Sequence, residues 1–425
     1  MGDAWIIGAW TSRFGKRTDE SFKDLTREAY LGVLDDAGLA GSGGVDLESV
    51  WFGNCLMHTW GQGGIRGQVC TVELVDEGLF PARVPVVNVE GACATASMAL
   101  FAAVKDIRSG DARMSLAIGV EKIARAGADT DPAVRQQVFD SFGAGVDNFD
   151  LPRLVREYER AAAYSGCTFE QGPGRTMFMD TYALQAAVHM RRWGTTQAHI
   201  AAGAAKNHTY GVLNPNAQYR FAMTVDDVLA DRVVSWPLTR SMCAPIGDGA
   251  AAAIVVGDDV LAGLPDAVRS RAIRVAATAL AGGRYRAIDE PSLARHAAQR
   301  AYRLAGIGPD DVDVAEVHDA TSFCELYQCE MLGFCEEGEG GPFVASGATG
   351  PDGPIPVNTS GGLVSKGHPV GATGLSMIHE LVTQLRGEAG ARQVSEARIA
   401  LAENGGGVMG LEEAACAITI LERGT

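Results

Sequence analysis

Short β-rich runs and helix-period segments alternate through the first third of the chain. Trp5 to Trp10 reads as a first strand and Leu25 to Leu39 as an amphipathic helix ending near Gly38. Val50 to Gly53 gives a second strand, followed by a Gly-rich loop from Gly61 to Gly67. The stretch Pro85 to Lys105, PVVNVEGACATASMALFAAVK, says most. Its β-rich run, Val86 to Val89, is interrupted at Glu90 and Gly91 and reaches Cys93. It then becomes an Ala-rich sequence of good helix propensity with no Pro or Gly until Gly110. Ser115 to Gly119 adds a further buried-looking strand. Such alternation predicts an α/β layered fold.

From about Ala124 to Trp236 the rhythm changes. Met, aromatic, Arg and Asn side chains are frequent, regular strands are not evident, and two helical segments stand out, Asp180 to Trp193 and Gln197 to His208. An insertion of this length usually binds or covers something. The sheet pattern resumes at Asp248 to Val256, and a second unit starting at Ile273 echoes the first. Ala29 to Leu39 is answered by Ala297 to Ile307, and Val45 to Asn54 by Val312 to Thr321. The expectation is an internal duplication: a first half over residues 1–265, carrying the insertion at about 124–236, and a second half over residues 266–425. A ligand would sit where the halves meet.

Composition narrows the function classes. At 425 residues, 47% hydrophobic and 21% charged, the chain is an ordinary globular sequence with ample core. No run of about 18 apolar residues occurs, so no membrane span is expected. The start, MGDAWIIGAW, has an acid where a secretory signal needs bases, which makes a cytoplasmic location the expectation. The formal charge of −16 argues against a nucleic-acid partner but not against a small anion held by a few local donors. Nine Cys without a CxxC pair indicate reduced thiols rather than a disulfide framework or a zinc ribbon. His379–Glu380 would open a zinc-protease helix, but Thr383 stands where the second His is required. No P-loop or strand-linked dinucleotide fingerprint occurs, so no metal or redox cofactor is implied.

The candidate chemistry starts at Cys93. In a strand-to-helix turn its thiol lies near the positive end of the helix dipole and among free backbone N–H groups, both of which favour the thiolate. The second half supplies His318, just past a predicted strand in EVHDATSFCEL, and His368, between Gly367 and Pro369 in NTSGGLVSKGHPVGATG, read as a surface turn. The run ENGGGVMG, Glu403 to Gly410, is a third Gly-rich turn between the strand-like segments Ile399 to Ala402 and Ala414 to Ile420.

Cys93 in its turn, His318 in VHD, His368 in GHPVGATG and the closing GGG run resemble the thiolase superfamily, in particular the sterol-carrier-protein-type thiolases. The resemblance covers essentially the whole chain, with KNH at Lys206 to His208, NPNA at Asn214 to Ala217 and CAPIGDGAAAAI at Cys243 to Ile254 in the expected order. It implies two duplicated α/β halves forming a five-layered αβαβα core with a loop domain inserted in the first half. It implies a CoA-dependent cleavage of a 3-oxoacyl-CoA through an acyl-Cys93 intermediate, with coenzyme A as substrate and no cofactor. His368 would take the proton of Cys93, His318 with His368 would meet the enolate oxygen, and the N–H groups of Cys93 and Gly405 would form the second oxyanion site. It also implies a homodimer or homotetramer, with a small OB-fold or zinc-ribbon accessory subunit as a further expected partner.

One departure matters. Where most thiolases carry a second Cys, in a Cys-x-Gly-Gly-Gly turn, this chain has Glu403; where some sterol-carrier-type members place it, after the His-Asp pair, it has Ala320. A carboxyl group in an apolar cleft is able to serve as the acid/base instead, so Glu403 is the expected substitute and Cys324 the second. The altered position, with an insertion rich in Met and aromatic residues, points to a bulky branched or aromatic acyl group, for which benzoylsuccinyl-CoA is one family example. Three other readings stay open: a C-acyltransferase, a retro-aldol lyase of the same fold, and a non-enzymatic acyl-CoA or lipid carrier. The complete Cys–His set, and the expectation that no carrier segment follows Thr425, weigh against the carrier.

Overall fold

The computed structural model describes residues 2–41, 46–172 and 175–424; Val45, the first residue of one repeated segment, lies outside them. In chain order the strands are β1 (Ala4–Thr11), β2 (Ser49–Gly53), β3 (Val86–Val89), β4 (Met114–Glu121), β5 (Val233–Ser235), β6 (Leu238–Thr239), β7 (Gly249–Gly257), β8 (Ile273–Gly282), β9 (Val314–Val317), β10 (Ile399–Gly406) and β11 (Ala415–Arg423). Nine of them run in the order β3-β2-β4-β7-β1-β8-β11-β10-β9, while β5 and β6 form a separate small hairpin.

The duplication expected from the sequence is visible in this order. Outward from the centre, β1-β7-β4-β2 repeats as β8-β11-β10-β9: two antiparallel junctions, then a parallel one. β3 adds a fifth strand to the first half, parallel to β2, and its counterpart is reduced to a parallel bridge from Val357 to Ala315. The halves join edge to edge only at Trp5–Arg274 and Ile6–Ile273.

The burial pattern of β7 shows why the sheets are sandwiched. Ala251, Ala253 and Val255 face one apolar cluster and Ala250, Ala252, Ile254 and Val256 another, so the strand is buried on both faces. The middle cluster holds two helices, Thr95–Ser109 and Thr373–Arg386, between the half-sheets, through Ala96, Ala99, Leu100, Leu375, Ile378 and Leu381. Phe22–Asp36 and Arg66–Asp76 cover the first half from outside, Leu293–Ala305 and Ser322–Leu332 the second. Helix, sheet, helix, sheet and helix make five layers.

The elements depart from expectation in several places, including the short strand β5 inside the insertion. The first helix starts earlier, at Phe22, because Ser21 and Asp24 close a capping box. The insertion holds three helices beyond those expected, Pro132–Ser141, Leu151–Ser165 and Val225–Ala230, besides Met177–Trp193 and Gln197–Leu213. The run Glu403–Gly406 is not a turn: it continues β10 opposite Ala415–Ile418, and the chain reverses over Gly407–Ala414. Among the described residues no helix is long and apolar enough to cross a membrane.

Candidate active site

The Cys93 turn is a left-handed step followed by a short helical one. Ala92 takes φ 50°, a conformation uncommon for a residue with a Cβ, and Ala92–Ala94 form one turn of 3-10 helix before Thr95–Ser109 begins. Side chains hold the step. The Glu90 carboxylate accepts from the Ala92 N–H at 2.6 Å, while the Thr95 hydroxyl accepts from Gly91 N–H at 2.9 Å and donates to the Ala92 carbonyl at 2.6 Å. Gly406 packs so closely that a Cβ there would stand 2.3 Å from the Ala94 nitrogen. Small residues in β10 therefore admit the turn.

His368 arrives from the equivalent place in the other half, the loop before Thr373–Arg386. That loop is buried rather than at the surface, since the central layer encloses it: His368 itself is 9% exposed. Glu121 at the end of β4 anchors it, accepting from the Gly371 N–H at 3.1 Å as well as from the Cys55 N–H and the Asn54 amide at 3.0 Å each. His368 Nε2 stands 3.2 Å from Cys93 Sγ, and Nδ1 lies 2.7 Å from Thr373 Oγ1. The Thr373 hydroxyl spends its hydrogen on the Pro369 carbonyl at 3.1 Å, so it accepts from Nδ1–H. Nε2 is then the unprotonated nitrogen, its lone pair toward the thiol.

His318 follows β9 and closes the group: donor atoms of Cys93, His318 and His368 lie within 4.8 Å of one another, with the two imidazole centroids 5.2 Å apart. Both His318 ring nitrogens are buried without a hydrogen-bond partner. The KNH segment stiffens this corner. Asn207 donates to Asp319 at 2.8 Å and to Glu325 at 2.7 Å, and Lys206 pairs with Glu325 at 2.6 Å.

Electrostatics correct one expectation. Burial, with the Glu413 charge next, pushes the Cys93 thiol up to about 12, outweighing the N–H groups of Cys93 and Gly407 that reach its sulfur. Burial likewise lowers His318 to about 4 and holds His368 well below the ordinary imidazole value, so both rings are neutral at physiological pH. The resting site is therefore a neutral thiol against a neutral base.

The remaining candidates fall around this group. Glu403 is fully buried, accepts from the His318 N–H at 3.0 Å and from the Cys416 thiol at 3.4 Å, and burial raises it to about 7. The Gly405 N–H is turned to the Glu403 carboxyl. Cys324 is buried in Ser322–Leu332, 3.5 Å from Thr321 Oγ1, and does not line the cavity. All nine cysteines are free thiols. Thr373, Gly407, Glu121 and Glu413 were not singled out by the sequence. Glu413 had the weakest signal there, one of a Glu-Glu pair just before a strand.

Cys93 and His368 open onto a cavity of about 800 Å³. Its inner wall is apolar, with Val138, Phe139, Phe142, Phe178, Met179 and Val370, and most of it comes from the insertion. Lys16, Arg125, Arg135, Arg232 and Arg240 also line it, against the single acid Asp129.

Comparison with known proteins agrees with this architecture. Residues 4–225 match the family described as thiolase, N-terminal domain, and residues 286–422 match thiolase C-terminal domain-like. An acetyl-CoA acetyltransferase of Methanothermobacter thermautotrophicus is 36% identical over 96% of this chain and 98% of its own. Sterol carrier protein 2 of Rattus norvegicus is 32% identical over 94% of this chain and 69% of its own. The benzoylsuccinyl-CoA thiolase subunit BbsB of Thauera aromatica is 29% identical over 95% and 94%. Among solved structures, the Ltp2-ChsH2(DUF35) aldolase superposes with a TM-score of 0.74 at 21% identity, covering 99% of this chain and 98% of that one. With both family models matched in sequence order on two duplicated halves, the chain belongs to the thiolase family, in its sterol-carrier-protein-like branch, and is an acyltransferase enzyme.

Proposed function

We propose that the protein is a CoA-dependent thiolase that cleaves a 3-oxoacyl-CoA with a bulky, branched or aromatic acyl group. The carrying observation is the 3.2 Å approach of the His368 Nε2 lone pair to the Cys93 thiol. A thiol held near 12 does not wait as thiolate, and a buried ion pair is costly. The proton therefore moves to Nε2 as sulfur attacks the 3-oxo carbon. Breaking the bond between C2 and C3 leaves the acyl group on Cys93 and a thioester enolate. The unpartnered His318 ring, beside His368, is a donor with nothing else to bind, as an oxyanion site requires. Over the acyl-enzyme, the amides of Cys93 and Gly407 face the sulfur, with Gly405 on the same strand end as a further donor of that oxyanion site. Glu403, raised to about 7, belongs to the acid group that supplies the proton for the enolate. Free CoA then carries off the shortened acyl chain.

The cavity supports the substrate class. Its cations suit the phosphates of CoA, and its Phe- and Met-lined interior suits a large apolar acyl group. An aryl-substituted acyl group like that named for the BbsB relative fits such a wall. That relative is named as a subunit, and the aldolase is named as a pair of components. An accessory subunit therefore belongs to the proposal.

The test is intact-protein mass spectrometry after mixing the chain with a panel of 3-oxoacyl-CoAs, without free CoA, beside Cys93→Ala. The expected result is an acyl adduct on Cys93 that disappears when CoA is added and is absent from the variant. No adduct from any substrate, with a DUF35-type subunit also supplied, would refute the reading.

A further inference from the structure

Next to the Cys93 turn, the β10–β11 hairpin carries a second group of ionisable side chains. Oxygens of Glu403 and Glu413 and the sulfur of Cys416 lie within 4.8 Å of one another. Both Glu403 oxygens are engaged, by the His318 N–H and the Cys416 thiol. Glu413, just past the glycines of the reversing turn, keeps a buried oxygen, Oε2, with no hydrogen-bond partner. Its carboxyl rests on Gly405, where a Cβ would stand 2.1 Å from Oε1. The fully buried His318 ring, whose backbone N–H holds Glu403, is unpartnered as well. Two unsatisfied groups thus stand on either side of Glu403, which His318 holds through its backbone and Glu413 crowds from the hairpin turn.

The charges facing Glu413 leave it little choice. Glu403 on β10 and Glu412 on its own turn repel it, and the one facing cation, Arg286, is 3.6 Å from Glu412. Cys93, Cys324, Tyr182 and Cys416 face it from the other elements. Two carboxyls this close, one fully buried and the other half-buried with a buried oxygen, cannot both ionise freely, and they titrate as a pair. Burial and Glu403 hold Glu413 well above the usual carboxyl range, while Glu403 stands at about 7. Glu413, not Glu403, is also the strongest charged influence on the thiol.

Resting on the thiolase reading, we infer that Glu403 and Glu413 share their protons, and that Glu413, the member with an unpaired oxygen, carries one to and from the substrate. In the first half-reaction the enolate electron pair forms a C2–H bond with the Glu413 proton, and Glu403 refills Glu413, leaving the pair one proton short. In the second, the CoA thiol returns that proton as its sulfur attacks the acyl carbon and the Cys93–acyl bond breaks. Cys93 recovers from His368 the proton it gave up. Neither carboxyl gains or loses a proton over the cycle.

The pair makes a pH prediction with a definite sign. Both members have raised values, so protons leave only as the pH climbs, and while one remains the pair still donates. In Glu413→Gln only Glu403 is left, and the donor disappears as the pH rises through about 7. Infrared difference spectra of the substrate-free chain, wild type against Glu413→Gln, should show a carboxylic-acid carbonyl band that persists above neutrality and is missing from the variant. The alkaline limb of turnover should fall by about one pH unit in the variant. A structural role for Glu413 would not move that limb. No band, or an unmoved limb, overturns the inference. The infrared readout needs no substrate, so its failure is distinct from the missing Cys93 adduct that would sink the thiolase reading. Should Glu413→Gln not fold, Gly405→Ala displaces the same carboxyl and is read in the same two ways.

Discussion

Which nitrogen of His368 faces the sulfur is decided by a hydroxyl on the far side of the ring. Thr373 has one hydrogen, and the Pro369 carbonyl takes it; the oxygen is left to accept from Nδ1–H. Thr373→Val keeps the shape and removes the acceptor. A neutral hydrogen bond contributes about 1 kcal/mol, so acylation of Cys93 should slow about fivefold, with Thr373→Ser close to wild type. Stopped-flow acylation read by mass spectrometry checks this, and an unchanged rate in the Val variant would mean that the other tautomer is present. Cys93, His318 and His368 were legible in the sequence because each sits in a distinctive local run. The thiol's protonation was not: dipole and N–H groups are local and can be read off a turn, whereas desolvation depends on what the other half packs against it. Glu413 was hidden for the same reason, since nothing in LEEAA shows that its carboxyl folds back over a glycine on the neighbouring strand.

At the scale of elements, the nucleophile turn depends on backbone touching backbone. Gly406 lies in β10 with ordinary strand geometry, so a methyl group there costs nothing in φ. It would, however, stand 2.3 Å from the Ala94 nitrogen and 2.4 Å from the Gly91 carbonyl. Neither atom is a flexible side-chain end. Gly406→Ala should therefore push the turn away from His368, lowering stability by about 1–3 kcal/mol and abolishing the Cys93 adduct. Urea unfolding and intact mass measure the two effects separately, and a variant that is both stable and acylated would show the contact to be slack. Period-2 strands and the Ala-rich helix were readable, because buried strands and a helix without breakers leave local signatures. The helix Leu151–Ser165 has an equally plain start, Asp150 capping the Arg153 N–H with Pro152 in the first turn. Its many charges, on a surface face, obscured the apolar stripe of Leu154, Tyr158 and Ala161. The glycines of β10 misread as a turn because strand glycines are informative only once the segment that presses on them is known.

For the whole molecule, the duplication leaves the two ends of the sheet unlike. At the second half's end the fifth strand is reduced to the buried Val357 bridge. At the other end β3 is a full strand paired, among the described residues, only with β2, and Val87 is 40% exposed on it. An unpaired, apolar edge strand invites pairing with another chain, and soluble proteins rarely leave one uncovered. Two copies related by a two-fold axis would satisfy both edges at once by β3 meeting β3, and a self-complementary patch closes as a dimer. Light scattering behind size exclusion should give twice the mass of one chain. Val87→Lys, which places two like charges across that axis, should shift the protein toward monomer while leaving its unfolding midpoint nearly unchanged at low concentration, because Val87 is not part of the core. A wild type that stays monomeric at micromolar concentration, or a Lys variant as dimeric as its parent, would put the interface elsewhere. The consequence reaches the site: β3 leads through Glu90 into the Cys93 turn, so covering its edge fixes the segment from which the nucleophile hangs.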